Sequence, residues 1–176
     1  VRAATWGVRG AFALVFAVNV QCALAFVAQP AAYAPAYELS GAAGTAAVQG
    51  IGVAFLMWNA TYPAVIAQPR RFRSLAVVVL VQQAIGLVGE SYVRAGLPVG
   101  HDLLAANIER FIAFDAVGLA LMATAFVWLL VSDAAAGAWS RATGTTPTMP
   151  HRQGRRERTS RQRRPILSRV NAELDL

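Results

Sequence analysis

Four long apolar runs dominate the chain, and its polar residues collect between them. The runs lie at about residues 10–29, 46–66, 73–93 and 108–131. At 1.5 Å per residue, helices of this length reach across about 30 Å of hydrocarbon. Membrane β-strands would be half as long and strictly alternating, and these runs are neither. The pattern predicts an all-α integral membrane four-helix bundle. The second run is the least clean, holding Asn59, Thr61, Tyr62 and Pro63. Its glycines and alanines still suit a helix packed against neighbours. The first run has a rival reading, because Val1–Gln29 has the early arginine, apolar stretch and small late residues of a signal peptide. Its apolar part is longer than a usual signal core, no small-x-small site stands clear of it, and Asn19 and Gln21 interrupt it. A retained span is the preferred reading.

The connections set the expected orientation. Arg2 and Arg9 precede the first run, and Arg70, Arg71 and Arg73 follow Pro69 in the turn between the second and third. Residues 30–45 hold no arginine and residues 94–107 only Arg94. Basic flanks stay on the cytoplasmic side, so both termini are expected there. The turn at 67–72 makes the second and third helices antiparallel neighbours, and the other connections keep successive helices adjacent. Gly41, Gly44, Ala47 and Gly50, with the pair Gly86 and Gly89, offer small surfaces for close helix packing.

Composition sharpens this picture. Of 176 residues, 56% are hydrophobic and 14% charged, against roughly 25% charged in soluble domains. That excludes a disordered chain over residues 1–132. The single cysteine, Cys22, excludes a disulfide-stapled fold and thiol–disulfide chemistry within one chain. Lysine is absent, and all sixteen basic residues are arginine, which resembles the codon bias of a GC-rich genome. Residues 1–132 carry seven arginines against five acids, whereas residues 133–176 carry nine against four. The chain thus divides into a transmembrane domain, 1–132, and an arginine-rich cytoplasmic tail, 133–176, expected to be mostly disordered.

Within that tail Thr143–Pro150 reads as a linker, and residues 152–164 hold seven arginines with no apolar residue to fold around. Anionic headgroups attract such a segment by about 1 kcal/mol per basic residue near the surface. Arg155 and Arg156, with Arg70, Arg71 and Arg73 of the basic turn, are the candidate anionic-lipid contacts. The tail lacks aromatic stacking groups, so no specific nucleic-acid partner is expected. Residues 165–176 have the spacing of a short amphipathic helix.

Polar groups at membrane depth call for pairing or a wet cavity. Asn19 lies in the first run and Asn59 in the second, with Gln21 and Tyr62 near them. Gln82 and Gln83 lie near the middle of the third run, and Glu90 continues the face that carries Gln83 and Gly86. Glu109 and Arg110 open the fourth run, with Asp115 deeper. The expected cluster is Asn19, Asn59, Gln83, Glu90, Arg110 and Asp115. In one arrangement Glu90 and Arg110 bridge the third and fourth helices, while Asp115 hydrogen-bonds to Asn19, Asn59 or Gln83. Tyr33 and Tyr37 are either belt residues or the mouth of an outward pocket. His101 beside Asp102 is too little for a metal site.

The sequence contains no P-loop, GxGxxG, HExxH, CxxC or GxSxG. No catalytic residue and no cofactor is assigned. Some residues do resemble a known group. The first run ends in Val27-Ala28-Gln29-Pro30, a glycine-rich run leads to Phe55-Leu56-Met57-Trp58, and Pro69-Arg70-Arg71-Phe72-Arg73 turns into a run containing Gly86-Leu87. Over residues 8–131 this resembles the small four-span bacterial membrane proteins of the DoxX-like and related uncharacterised (DUF4345-like) group. The resemblance implies a four-helix bundle in the bacterial cytoplasmic membrane, and some DoxX relatives are linked to thiosulfate or quinone metabolism. It carries over no catalytic residue. The reading is an accessory subunit or a bundle holding a small ligand or lipid, alone, as a homo-oligomer or in a larger membrane complex. A small oligomeric transporter using Asp115 and Glu90 in an outward-facing cavity is one alternative, and a quinone-linked redox protein another.

Overall fold

The fold is taken from a computed structural model that describes residues 1–144. The expected tail disorder, the C-terminal amphipathic helix, Arg155 and Arg156 lie outside the described residues. Helix α1 spans Arg2–Ala28, α2 Pro30–Tyr33, α3 Gly41–Asn59, α4 Tyr62–Ala67, α5 Arg73–Ala95 and α6 Asp102–Ala142, with a 3-10 turn at Ala34–Tyr37. Four helical stretches are long and apolar enough to cross a membrane: Arg2–Ala28, Gly41–Ala67, Arg73–Ala95 and Asp102–Ala142. Helix α1 starts well before residue 10. Helix α6 starts before residue 108 and continues through Asp133, past the expected boundary with the tail. Residues Val1–Ala138 form one compact unit. Beyond it, Thr143 closes the last turn with its N–H on the Trp139 carbonyl at 3.0 Å.

The second stretch is interrupted, and the sequence explains where. Pro63 has no N–H to offer the Asn59 carbonyl, and its ring would collide with that carbonyl in a continuous helix. Helix α3 accordingly stops at Asn59, and α4 restarts at Tyr62 with Pro63 in its first turn, where a missing N–H is harmless. The Ala60 N–H bonds to the Met57 carbonyl at 3.2 Å, which tightens the junction. Pro30 plays the same part between α1 and α2.

Packing runs around a ring of helices. Helix α1 is antiparallel to the α3–α4 stretch: Gln49 Nε2 donates to the Val27 carbonyl at 3.2 Å, and Arg9 Nη2 to the Ala67 carbonyl at 2.7 Å. Between them Gly52 allows a close approach, since a Cβ there would sit 2.8 Å from the Ala23 carbonyl oxygen. Helix α6 lies against α1, with Gly7 under the Trp128 ring and Gly118 near Val15. The small-residue surfaces are used only in part. Gly44 and Gly86 meet close neighbours, whereas Gly50 and Gly89 face open space, and Gly41 serves through its positive φ of 67° at the start of α3.

The apolar core forms two clusters. One gathers Val8, Phe12, Val15, Val65, Val79, Met122 and Leu129. The other centres on Phe26 and Val48, with Tyr33, Tyr37, Phe55 and Phe111 packed on it. Polar contacts fasten both ends of the bundle. At one end Arg70 and Arg73 both pair with Asp133, and Arg70 Nη2 also donates to the Val1 carbonyl at 2.9 Å. At the other end His101 Nδ1 donates to Glu38 at 2.5 Å, and Arg94 pairs with Glu109 at 2.8 Å.

Candidate functional site

A cavity of about 100 Å³ opens where the two core clusters meet. Each part of its wall comes from a helical face. Phe55, Trp58, Asn59 and Tyr62 follow one another at intervals of three, one and three residues, and all four line the cavity across the break at Ala60–Thr61, with Trp58 half exposed at its edge. Helix α5 contributes Gln82, Gln83, Gly86 and Glu90, helix α6 Phe111, Phe114 and Asp115, and α1 Asn19. Three- and four-residue steps stack side chains along one side of a helix.

A short relay of hydrogen bonds crosses the cavity wall. The Tyr62 hydroxyl donates to Gln83 Oε1 at 3.4 Å, and Gln83 Nε2 donates to Asp115 Oδ1 at 2.7 Å. Two glycines make the second contact sterically feasible. A Cβ on Gly86 would lie 2.5 Å from Asp115 Oδ2, and one on Gly118 would lie 3.2 Å from Gln83 Nε2. Asn59 turns its Nδ2 to the Phe55 carbonyl at 2.7 Å. A carbonyl only accepts, so this bond fixes Oδ1 as the end of the Asn59 amide left over, on a residue that lines the cavity. That oxygen is buried and unpartnered on a residue only 4% exposed. Gln82 Oε1 is likewise buried with no partner. Each such acceptor costs roughly 1–3 kcal/mol when nothing donates to it.

Of the six residues expected to cluster, Asn19, Asn59, Gln83, Glu90 and Asp115 line this cavity and Arg110 does not. The Glu90–Arg110 bridge is absent. The ion pair that joins α5 to α6 is Arg94–Glu109, one turn beyond Glu90. Arg110 is exposed because each residue turns an α-helix by about 100°, which carries it off the face that holds Phe111 and Asp115. Of the three partners expected for Asp115, Gln83 is the one that bonds. The aromatic wall of Phe55, Trp58, Phe111 and Phe114 is missing from the sequence-level cluster. Its regular spacing with Asn59 and Asp115 was the available signal.

The surroundings differ from expectation in detail. Tyr33 and Tyr37 fold onto Phe26, with ring centroids 5.0 and 6.0 Å apart, and neither lines the cavity. Burial pushes the Tyr37 hydroxyl up to about 12. Glu38 adopts a left-handed φ of 53° and holds His101 on one side and the Leu104 N–H, at 3.3 Å, on the other. It thereby supplies an anion to the N-terminal turn of α6. The hydrogen bond from His101 holds its carboxyl below the usual carboxylate range. Among the described residues no group of three or more His, Cys, Asp or Glu is placed to hold a metal. Of the candidate lipid contacts, Arg70 and Arg73 direct their guanidinium groups to Asp133, while Arg71 stays exposed over the Phe72 ring.

Comparison with family profiles, with curated protein sequences and with solved structures found no match to this chain. The DoxX-like resemblance gains no support from them.

Proposed function

We propose that this is a multi-pass membrane protein, with both termini cytoplasmic, whose helix bundle holds a small ligand in the cavity around Asp115. Four apolar helices of spanning length and the arginine-rich connections at one end support the membrane reading. The observation that carries the ligand reading is a cavity lined by Glu90 and Asp115 with no cation, where the lining residue Asn59 keeps a buried, unpartnered Oδ1. A purely architectural accessory subunit would have a polar cluster satisfied within itself, and this one is not. The interruption between α3 and α4 favours transport as a second reading, since broken helices at a buried polar site are a recurrent feature of transporters.

The test is native mass spectrometry of the full chain purified in nanodiscs from its own membrane, with an Asp115→Asn variant beside it. A defined small molecule on the wild type, lost in the variant, supports a ligand-holding bundle. Stoichiometric recovery of larger subunits with no small molecule, unaffected by the variant, overturns it in favour of an accessory role.

A further inference from the structure

The cavity's chemistry is lopsided, and this restricts what fits it. Among its lining residues the buried side-chain atoms left without partners are both acceptors, Asn59 Oδ1 and Gln82 Oε1. Asp115 has one carboxylate oxygen on Gln83 Nε2, and its other lies close against Gly86. Glu90 lines the same space and has no ion pair among the described residues. The relay donors are committed, Tyr62 to Gln83 and Gln83 to Asp115. No arginine lines the cavity, and Arg94, the nearest cation along α5, is bound to Glu109. A complementary ligand therefore brings positive charge and N–H donors.

We propose that the cavity binds a small protonated primary amine, its ammonium group between Asp115, Glu90 and Asn59 Oδ1 and its short carbon part against the aromatic wall. This rests on the ligand-holding reading above and names the ligand class. An ammonium has three donors and no acceptor, which matches the unpartnered set. Trp58 and the phenylalanines beside it suit a cation through their electron-rich faces. Size sets the other limit. An apolar cavity of about 150 Å³ takes one benzene, so about 100 Å³ takes an amine of a few heavy atoms and is too small to take in a quinone ring system or a bulky quaternary cation whole. Two carboxylates with no His or Cys beside them fall short of a metal-ligand set.

The test titrates ethylammonium into the full chain in nanodiscs, by calorimetry, alongside 1-propanol, tetraethylammonium and potassium. Asp115→Asn, Glu90→Gln and Asn59→Leu are assayed in parallel, each first checked for wild-type helicity and thermal unfolding. Gly89→Ala, at a position facing open space, is the control variant. Ethylammonium should saturate one site per chain, while the other three compounds bind much more weakly or not at all. Loss of one charge-assisted hydrogen bond should weaken ethylammonium by about tenfold or more in Asp115→Asn. Asn59→Leu should weaken it while leaving the empty protein at least as stable, because it removes an unpartnered acceptor. Equal binding of 1-propanol would overturn the amine assignment and leave a small-ligand cavity. Potassium or tetraethylammonium binding as tightly as ethylammonium would overturn it too, by showing that the donors are not read. If ethylammonium fails to bind while native mass spectrometry finds another small molecule, the amine assignment alone falls. If nothing small binds by either measurement, both readings fall.

Discussion

Gly86 shows how much of the site depends on what is missing from one residue. A side chain there would meet Asp115 Oδ2 at 2.5 Å, so the Gln83–Asp115 bond requires that α5 carry no Cβ at that point. Gly89, on the same helix, faces open space. The two glycines look alike in sequence and should respond oppositely to alanine. Gly86→Ala forces Asp115 or the helix aside and should cost about 1–3 kcal/mol of stability. Gly89→Ala should be neutral or stabilise by up to about 1 kcal/mol, the helix preference of alanine over glycine. Thermal unfolding of both variants in one lipid composition checks this. Equal effects would mean that the Gly86 approach is not tight in the folded protein.

At the level of elements, the interruption at Ala60–Thr61 and the Glu38 junction do the positioning. Pro63 ends α3 where Asn59 reaches the cavity, so Asn59 and Tyr62 face the same space from two helices. Glu38 joins the 3-10 turn to the start of α6 through His101 and Leu104, which fixes the register of the helix that carries Asp115. Its carboxyl is held below its ordinary value of 4.5, chiefly by the His101 hydrogen bond. A group with a depressed folded value contributes stability above its unfolded value and loses it as pH falls through the folded one. Wild type should therefore be more stable than Glu38→Gln near neutral pH, with the gap closing once the pH falls below 4.5. Melting temperatures of both proteins across that window test this. A gap that persists or widens in acid would rule out the Glu38 charge as its source.

For the whole molecule, Val1, the 68–72 turn and Asp133 share one end, and Glu38, Arg94, His101 and Glu109 the other. Three arginines of the turn and the basic start of the chain then mark a single face, as the cytoplasmic assignment needs. In a Cys22→Ala background, Ser40→Cys and Val99→Cys should react with an impermeant maleimide added to intact cells. Gln68→Cys should react only after the cells are opened. The reverse pattern would invert the proposed orientation. Asp133 adds a condition on lipid contact, because two of the three arginines in the turn already hold it. Arg71 is then the one in that turn best placed for a headgroup.

Much of this architecture is written locally in the sequence. Hydrophobic length sets four helices, because backbone groups in hydrocarbon must be satisfied within the segment. Counting along the runs placed Asn19, Asn59, Gln83, Glu90 and Asp115 between the middle of the bundle and one end of it, since rise per residue is fixed. Rotation about each helix axis is a different matter, and a few tens of degrees decide which neighbour a side chain meets. Glu109 and Arg110 are adjacent and both exposed, yet Glu109 pairs with Arg94 of α5 and Arg110 makes no bridge to Glu90; only packing chose between them. The same holds for Asp133, assigned to the tail by composition but seated on α6 against two arginines sixty or more residues away. Composition and periodicity thus determined the helices and the level of the polar groups. Tertiary packing decided their partners, left Asn59 Oδ1 without one, and shaped the cavity that Asn59 lines, because contacts between helices depend on the summed rotations of all of them.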